Sequence, residues 1–165
     1  MELIYRAERE LDDPSKRDPA AASSLARQAL SKSPECVEAS IVLARSEFAR
    51  GCFGDAINSC NKSRLISWWS SSTSTTISPR MVRFAIDGFF VLAESHEKLM
   101  ENQESVECYR QVVEVSIRGF NQFGIKQSPL SRQAIEKSLL KIPTILLSLS
   151  RPGDVTEAII SLRRS

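Results

Sequence analysis

Residues 37–63, VEASIVLARSEFARGCFGDAINSCNKS, constrain the fold more than any other part of the chain. Apolar residues recur at helical spacing on both sides of Gly51, which predicts two helices joined by a tight turn. The second helix carries small side chains at Ala56, Cys60 and Ser63, and antiparallel helices approach closely only where facing side chains are small. One such pair cannot bury its own apolar face, so neighbouring pairs must stack.

The pattern resembles a tetratricopeptide repeat, whose period of about 34 residues leads back from Ala56 to another small residue, Ala22. A second match covers residues 92–113, where Met100 replaces the turn glycine and Asn102 replaces the aromatic residue of the turn. We expect the turn to form because asparagine tolerates the left-handed conformation. A partial third match follows residue 150. The predicted signature residues of the three matches are Leu43, Ala44, Gly51, Phe53, Ala56, Leu92, Ala93, Ser105, Tyr109, Gly153 and Ala158.

The predicted fold class is therefore all-α, a tetratricopeptide-repeat-like α-solenoid of antiparallel helix pairs stacked in a right-handed array. We expect one domain over residues 1–165, a fragment of a longer array, with loop insertions at residues 65–78 and 119–129. Ser78 followed by Pro79 predicts a helix start, as does Asp18 followed by Pro19. A further helix from Leu130 to Leu149 is expected to be kinked or reset at Pro143.

Composition excludes several other classes of protein. A net charge of +2 gives no electrostatic case for nucleic acid, which requires clustered cations on one face. The chain has no apolar run of about 18 residues and no apolar signal-peptide core. We expect a cytoplasmic protein that does not itself span a membrane.

The four cysteines, Cys36, Cys52, Cys60 and Cys108, have no metal-type spacing and are expected to be reduced packing thiols. His96, the single histidine, falls on the apolar stripe of a helix, which favours a packed side chain over a catalytic base. No nucleophile with a base and no Gly-rich phosphate loop is found, so the sequence predicts a non-enzyme with no cofactor and no metal.

Trp68 and Trp69 lie in the first predicted insertion, beside a run of hydroxyl residues. Exposed tryptophans commonly anchor interfaces, so we consider both as candidate contacts to a partner protein. The alternative is that they fold back on the apolar surface of the chain itself. Either role is compatible with the sequence.

The order of long helices and insertions resembles the N-terminal part of the tetratricopeptide repeat protein 7 family. Three stretches carry this likeness: SPECVEASIVLARSEFARGCFGDAI, PRMVRFAIDGFFVLAESHEKLMENQESVECYRQVVEV and SRQAIEKSLLKIPTILLSLSRPGDVTEAIISLRR. The resemblance implies a non-catalytic scaffold that helps to hold a phosphatidylinositol 4-kinase at the plasma membrane. It implies as partners that kinase, a lipid-anchored membrane protein and a hyccin-type subunit.

The alternative is a generic tetratricopeptide-repeat adaptor, which would be either co-chaperone-like or calmodulin-binding. A plant branch of similar architecture is described as calmodulin-binding. A co-chaperone would place Lys and Asn on the concave first-helix face to clamp a C-terminal carboxylate. The corresponding faces of this chain instead offer Ile41, Arg45, Val91, Leu140 and Thr144. The clamp is largely absent.

Overall fold

A computed structural model describes residues 1–13, 17–71, 77–123 and 129–149. All regular structure in these ranges is helical, which confirms the predicted all-α class, and helices that follow each other in sequence pack together as in a helical repeat. The helices are α1 (Glu2–Asp12), α2 (Pro19–Lys32), α3 (Val37–Ala49), α4 (Phe53–Lys62), α5 (Leu65–Ser71), α6 (Pro79–Lys98), α7 (Asn102–Phe123) and α8 (Pro129–Leu149). Solenoid type and handedness stay predictions.

Two helix starts follow the predicted capping chemistry. The Asp18 side chain accepts hydrogen bonds from the backbone N–H groups of Ala20 and Ala21, at 2.9 and 3.0 Å. The Ser78 hydroxyl accepts one from the N–H of Met81 at 3.2 Å. In both helices a proline occupies the first position, where the missing N–H costs nothing.

The turn between α3 and α4 has the same backbone geometry as the turn between α6 and α7. Gly51 has the predicted positive φ, +81°, and Met100 at the corresponding place has φ +62°. Each turn closes with a hydrogen bond over five residues, from Cys52 N to Glu47 O and from Glu101 N to His96 O, both 2.9 Å. The expectation for Asn102 was wrong, because Met100 itself takes the left-handed conformation.

Contacts along α6 and α7 show that the two helices are antiparallel. Val82, early in α6, faces Gly119, late in α7. Nearer the turn, the rings of Phe90 and Tyr109 lie 6.1 Å apart, and the Ser105 hydroxyl donates to the Ala93 carbonyl at 2.9 Å. The first helices of successive pairs lie side by side, since α1 contacts α3, α3 contacts α6, and α6 contacts α8.

Both predicted insertions are partly helical, so their expected boundaries were wrong. Residues 65–71 form α5 because Leu65 and Trp69, one turn apart, bury their side chains in the main core. Residues 119–123 continue α7, since Gly119 allows a close approach to Val82. Pro143 lies within α8, which continues through it to Leu149.

The main core joins side chains from all eight helices, and a smaller cluster around Tyr109 and Ile145 joins α6, α7 and α8. Helix α8 also leaves Leu139, Leu140 and Leu147 exposed, so no described helix covers this face. In the described ranges, no helix is both long enough and apolar enough to cross a bilayer. The predicted signature residues Gly153 and Ala158 lie outside the described residues.

Candidate protein-interaction groove

The predicted signature residues lie mostly at contacts between helices. Ala56 and Ser105, at corresponding places early in α4 and α7, are both 0% exposed. Phe53 is half-buried at the first turn, where its ring lies 5.4 Å from that of Phe48. The other buried members are Leu43, Ala44, Leu92, Ala93 and Tyr109. These residues therefore serve to pack the helices against one another.

The two tryptophans have different environments. Trp69 is 3% exposed within the main core, with the Arg118 guanidinium 5.3 Å from its ring. Trp68 is half-buried and packs against the same core. Trp69 therefore packs within the chain and is not accessible to a partner in this conformation. A partner contact at Trp68 stays a prediction.

The four cysteines are free thiols, and two of them are deeply enclosed. Desolvation raises the pKa of Cys60 far above its usual value and that of Cys108 to about 12, so both stay protonated at neutral pH. Cys36 and Cys52 occupy N-cap positions of α3 and α4 instead of helix interiors. Within the described ranges, no cluster of three or more potential ligands is arranged for a metal ion.

His96 is largely covered at the end of α6, as the sequence indicated. Its Nδ1 lies 2.6 Å from Oε2 of Glu101, and its side chain is 16% exposed. Because the turn hydrogen bond also joins Glu101 to His96, the imidazole is part of the helix–turn–helix connection.

A groove of about 240 Å³ opens where α1, α3, α6 and α8 lie side by side. We call it the first-helix groove, because α3 and α6 are the first helices of their pairs. Its apolar lining consists of Leu11, Phe48, Phe90, Val91 and Ala134, and its polar lining of Arg17, Arg45, Asp87, Glu94, Gln133 and Lys137. Arg45 and Val91 were predicted on this face, whereas Ile41 is fully buried, and Leu140 and Thr144 point elsewhere on α8.

Arg45 connects three helices at one end of the groove. Its Nη2 pairs with Asp12 of α1, and its Nη1 lies 3.5 Å from Oδ2 of Asp87 in α6. Burial raises the pKa of Asp87, an effect that the positive charges of Arg45 and Arg83 oppose. Nη1 of Arg45 is buried without a hydrogen-bond acceptor among the described residues. This charge network holds α1, α3 and α6 in register.

Two lysines of α8 form ion pairs with α6, and one of them, Lys137, lines the groove. Lys137 pairs with Glu94 and Lys141 with Glu97, both on α6. Burial acts to raise the pKa of Glu97. Hydrogen bonds from Lys141 and from the Tyr109 hydroxyl, the latter at 2.7 Å, lower this pKa by more than burial raises it, so the net shift is downward. The carboxylate is thus stabilised in its charged form.

A second charged cluster was not predicted from the sequence. Glu47 is 4% exposed, yet its carboxylate accepts hydrogen bonds from Ser59 at 2.7 Å and from Arg27 at 3.3 Å. These three residues line a cavity of about 460 Å³ between α2, α3 and α4. Only Glu47's position on an otherwise apolar helix face could have signalled a buried, paired carboxylate.

A scan against protein-family models, a search of curated proteins and a search of solved structures returned no match to this chain.

Proposed function

We propose that this chain is a non-catalytic protein–protein interaction scaffold, a tetratricopeptide-repeat-like α-solenoid that holds a partner segment in the first-helix groove. The observation that carries the proposal is the repeated turn at Gly51 and Met100, with the same hydrogen bond in each. Helical repeats stack their pairs into an extended surface, and they bind through that surface. The groove, lined by α3 and α6 of the two matching pairs, is such a surface.

The resemblance to the tetratricopeptide repeat protein 7 family adds specific partners to the proposal. By that resemblance, the chain helps to recruit a phosphatidylinositol 4-kinase to the plasma membrane, together with a lipid-anchored membrane protein and a hyccin-type subunit. The chain would then act from the cytoplasm and reach the membrane through these partners.

The test is co-precipitation from cytosol with the tagged full chain, followed by mass spectrometry. A Gln133→Trp variant fills the groove from an exposed position on α8, and Gln103→Trp makes the same change at an exposed position of α7 outside the groove. We expect the parent chain and Gln103→Trp to recover kinase-complex subunits, and Gln133→Trp to lose them. Circular dichroism of all three chains must first show equal helix content.

Other outcomes would replace the proposed partners. Recovery of chaperones without the kinase subunits would favour the co-chaperone-like adaptor. Calcium-dependent retention on immobilised calmodulin would favour the calmodulin-binding adaptor. Equal recovery of every partner by Gln133→Trp and the parent chain would show that the first-helix groove is not the binding surface.

A further inference from the structure

Three ion pairs between the first helices expose their cations more than their carboxylates, whereas Asp12 is more exposed than its partner Arg45. The Lys137 side chain is 42% exposed, whereas that of its partner Glu94 is 14% exposed. Two neighbouring pairs have the same arrangement: Lys141 with Glu97, and Arg83 with Glu8. At these three pairs, an approaching molecule therefore meets the positively charged group before it meets the carboxylate.

Arg17 adds a further positive charge to the groove. It lies just before α2, is exposed, lines the groove and makes no ion pair with any described residue. Unlike Lys137, Arg17 forms no ion pair with a described carboxylate that an incoming anion would have to displace. A guanidinium in this position can pair with a carboxylate in two parallel hydrogen bonds.

Apolar side chains also line the groove. Phe48 and Phe90 are half-buried, so part of each ring faces the groove, and Val91 lies beside them. The volume of about 240 Å³ is below the roughly 300–1,000 Å³ of typical small-molecule sites. The groove thus fits one or two side chains of a longer chain laid across it.

From this arrangement we propose that the first-helix groove binds an extended acidic segment of a partner protein. Carboxylates of the segment pair with Arg17 and Lys137, and an apolar side chain between them packs on Phe48 and Phe90. Asp87 and Glu94 within the groove are already paired, with Arg45 and Lys137, so Arg17 is the cation of the lining that has no ion-pair partner among the described residues. The inference rests on the proposed function and specifies the chemistry of the segment that is bound.

Fluorescence anisotropy with the full chain tests the proposal. The probes are a labelled peptide of repeated Leu-Glu-Glu, the same peptide with Gln for every Glu, and a labelled single-stranded oligonucleotide. We expect the Glu peptide to bind about tenfold or more tightly than the Gln peptide, since charge-assisted hydrogen bonds are the stronger class. Added salt should weaken its binding.

Arg17→Gln is the decisive variant, because it breaks no described ion pair, and Arg110→Gln is its matched control. Arg110 is exposed on α7, pairs with Glu107 and lies outside the groove. We expect Arg17→Gln to weaken binding of the Glu peptide several-fold and Arg110→Gln to leave it unchanged. Equal binding of the Glu and Gln peptides, tighter binding of the oligonucleotide, or an unaffected Arg17→Gln chain would each overturn the proposal.

The two proposals can fail separately. If Gln133→Trp abolishes partner recovery while the Glu peptide does not bind, the groove is an interaction surface whose segment is not acidic. If the Glu peptide binds as expected while Gln133→Trp recovers every partner, the acidic site is present but is not the surface that holds those partners.

Discussion

Gly119 permits the close contact between α6 and α7, and Gly119→Ala tests whether that contact limits their approach. A Cβ at this position would lie 2.5 Å from Cγ1 of Val82 and 3.1 Å from Cγ2. Valine is branched at Cβ and held in one rotamer within a helix, so its methyl groups cannot turn away. The two helices would have to separate, or Val82 would have to take a strained rotamer.

The expected change in stability is the difference between two opposing effects. Overpacking a core contact costs about 1–3 kcal/mol, while Gly→Ala within a helix gains up to about 1 kcal/mol in propensity. We therefore expect Gly119→Ala to lower the free energy of unfolding by up to about 2 kcal/mol. Urea denaturation followed by circular dichroism measures this difference.

The matched control is Gly54→Ala, also in a helix, where an added Cβ would meet no atom within 4 Å. This substitution should raise stability by up to about 1 kcal/mol. Adding Val82→Ala to Gly119→Ala should recover part of the loss, and a double-mutant cycle would measure the coupling. The reasoning is refuted if Gly119→Ala stabilises the chain as Gly54→Ala does, or if the two substitutions at the contact are additive.

Three further predictions concern other parts of the chain. Trp69→Ala should cost about 3–5 kcal/mol of unfolding free energy, because it empties a core site, and Trp68→Ala should cost less; an unchanged melting temperature for Trp69→Ala would contradict the core assignment. Met100→Gly should raise stability by about 0.5–1 kcal/mol, because glycine adopts positive φ without the steric cost, and a lower melting temperature would contradict this. The folded-state pKa of Glu97 lies below the unfolded value of 4.5, so its stabilisation is present above pH 4.5 and lost as pH falls through the folded pKa. The stability difference between the parent chain and Glu97→Gln should shrink over that range, and a difference independent of pH would argue against the shift.

Much of the fold could be predicted because local chemistry determines it. Asp18 before a proline and Ser78 before a proline each supply an acceptor for free N–H groups, and both begin helices where expected. The positive φ of Gly51 follows from the need to close a helix in a short turn. Such features depend on a few neighbouring residues, so one sequence is enough to place them.

The errors arose where a distant contact outweighed local composition. The hydroxyl-rich stretch after Arg64 was expected to be a loop, yet it begins with a helix because Leu65 and Trp69 find apolar partners elsewhere in the fold. Likewise, residues 119–129 were expected to form a loop, although α7 continues to Phe123 because the missing side chain of Gly119 lets the helix approach Val82. In both places, the deciding partner lies far away in sequence.

The groove was only half predictable for a related reason. Alignment of the two matches places Glu94 where Arg45 stands, so both side chains could have been assigned to the same face of their helices. The partner of Glu94 could not have been assigned from the sequence. That partner, Lys137, comes from α8, whose rotation about its own axis is set by packing at Ala134 and Ile145. A position within a repeat can be identified from the sequence alone, whereas the charge opposite it depends on how the next helix packs. The acidity of the bound segment is therefore an inference from the assembled groove, and Arg17→Gln tests it without disturbing the ion pairs that assemble the groove.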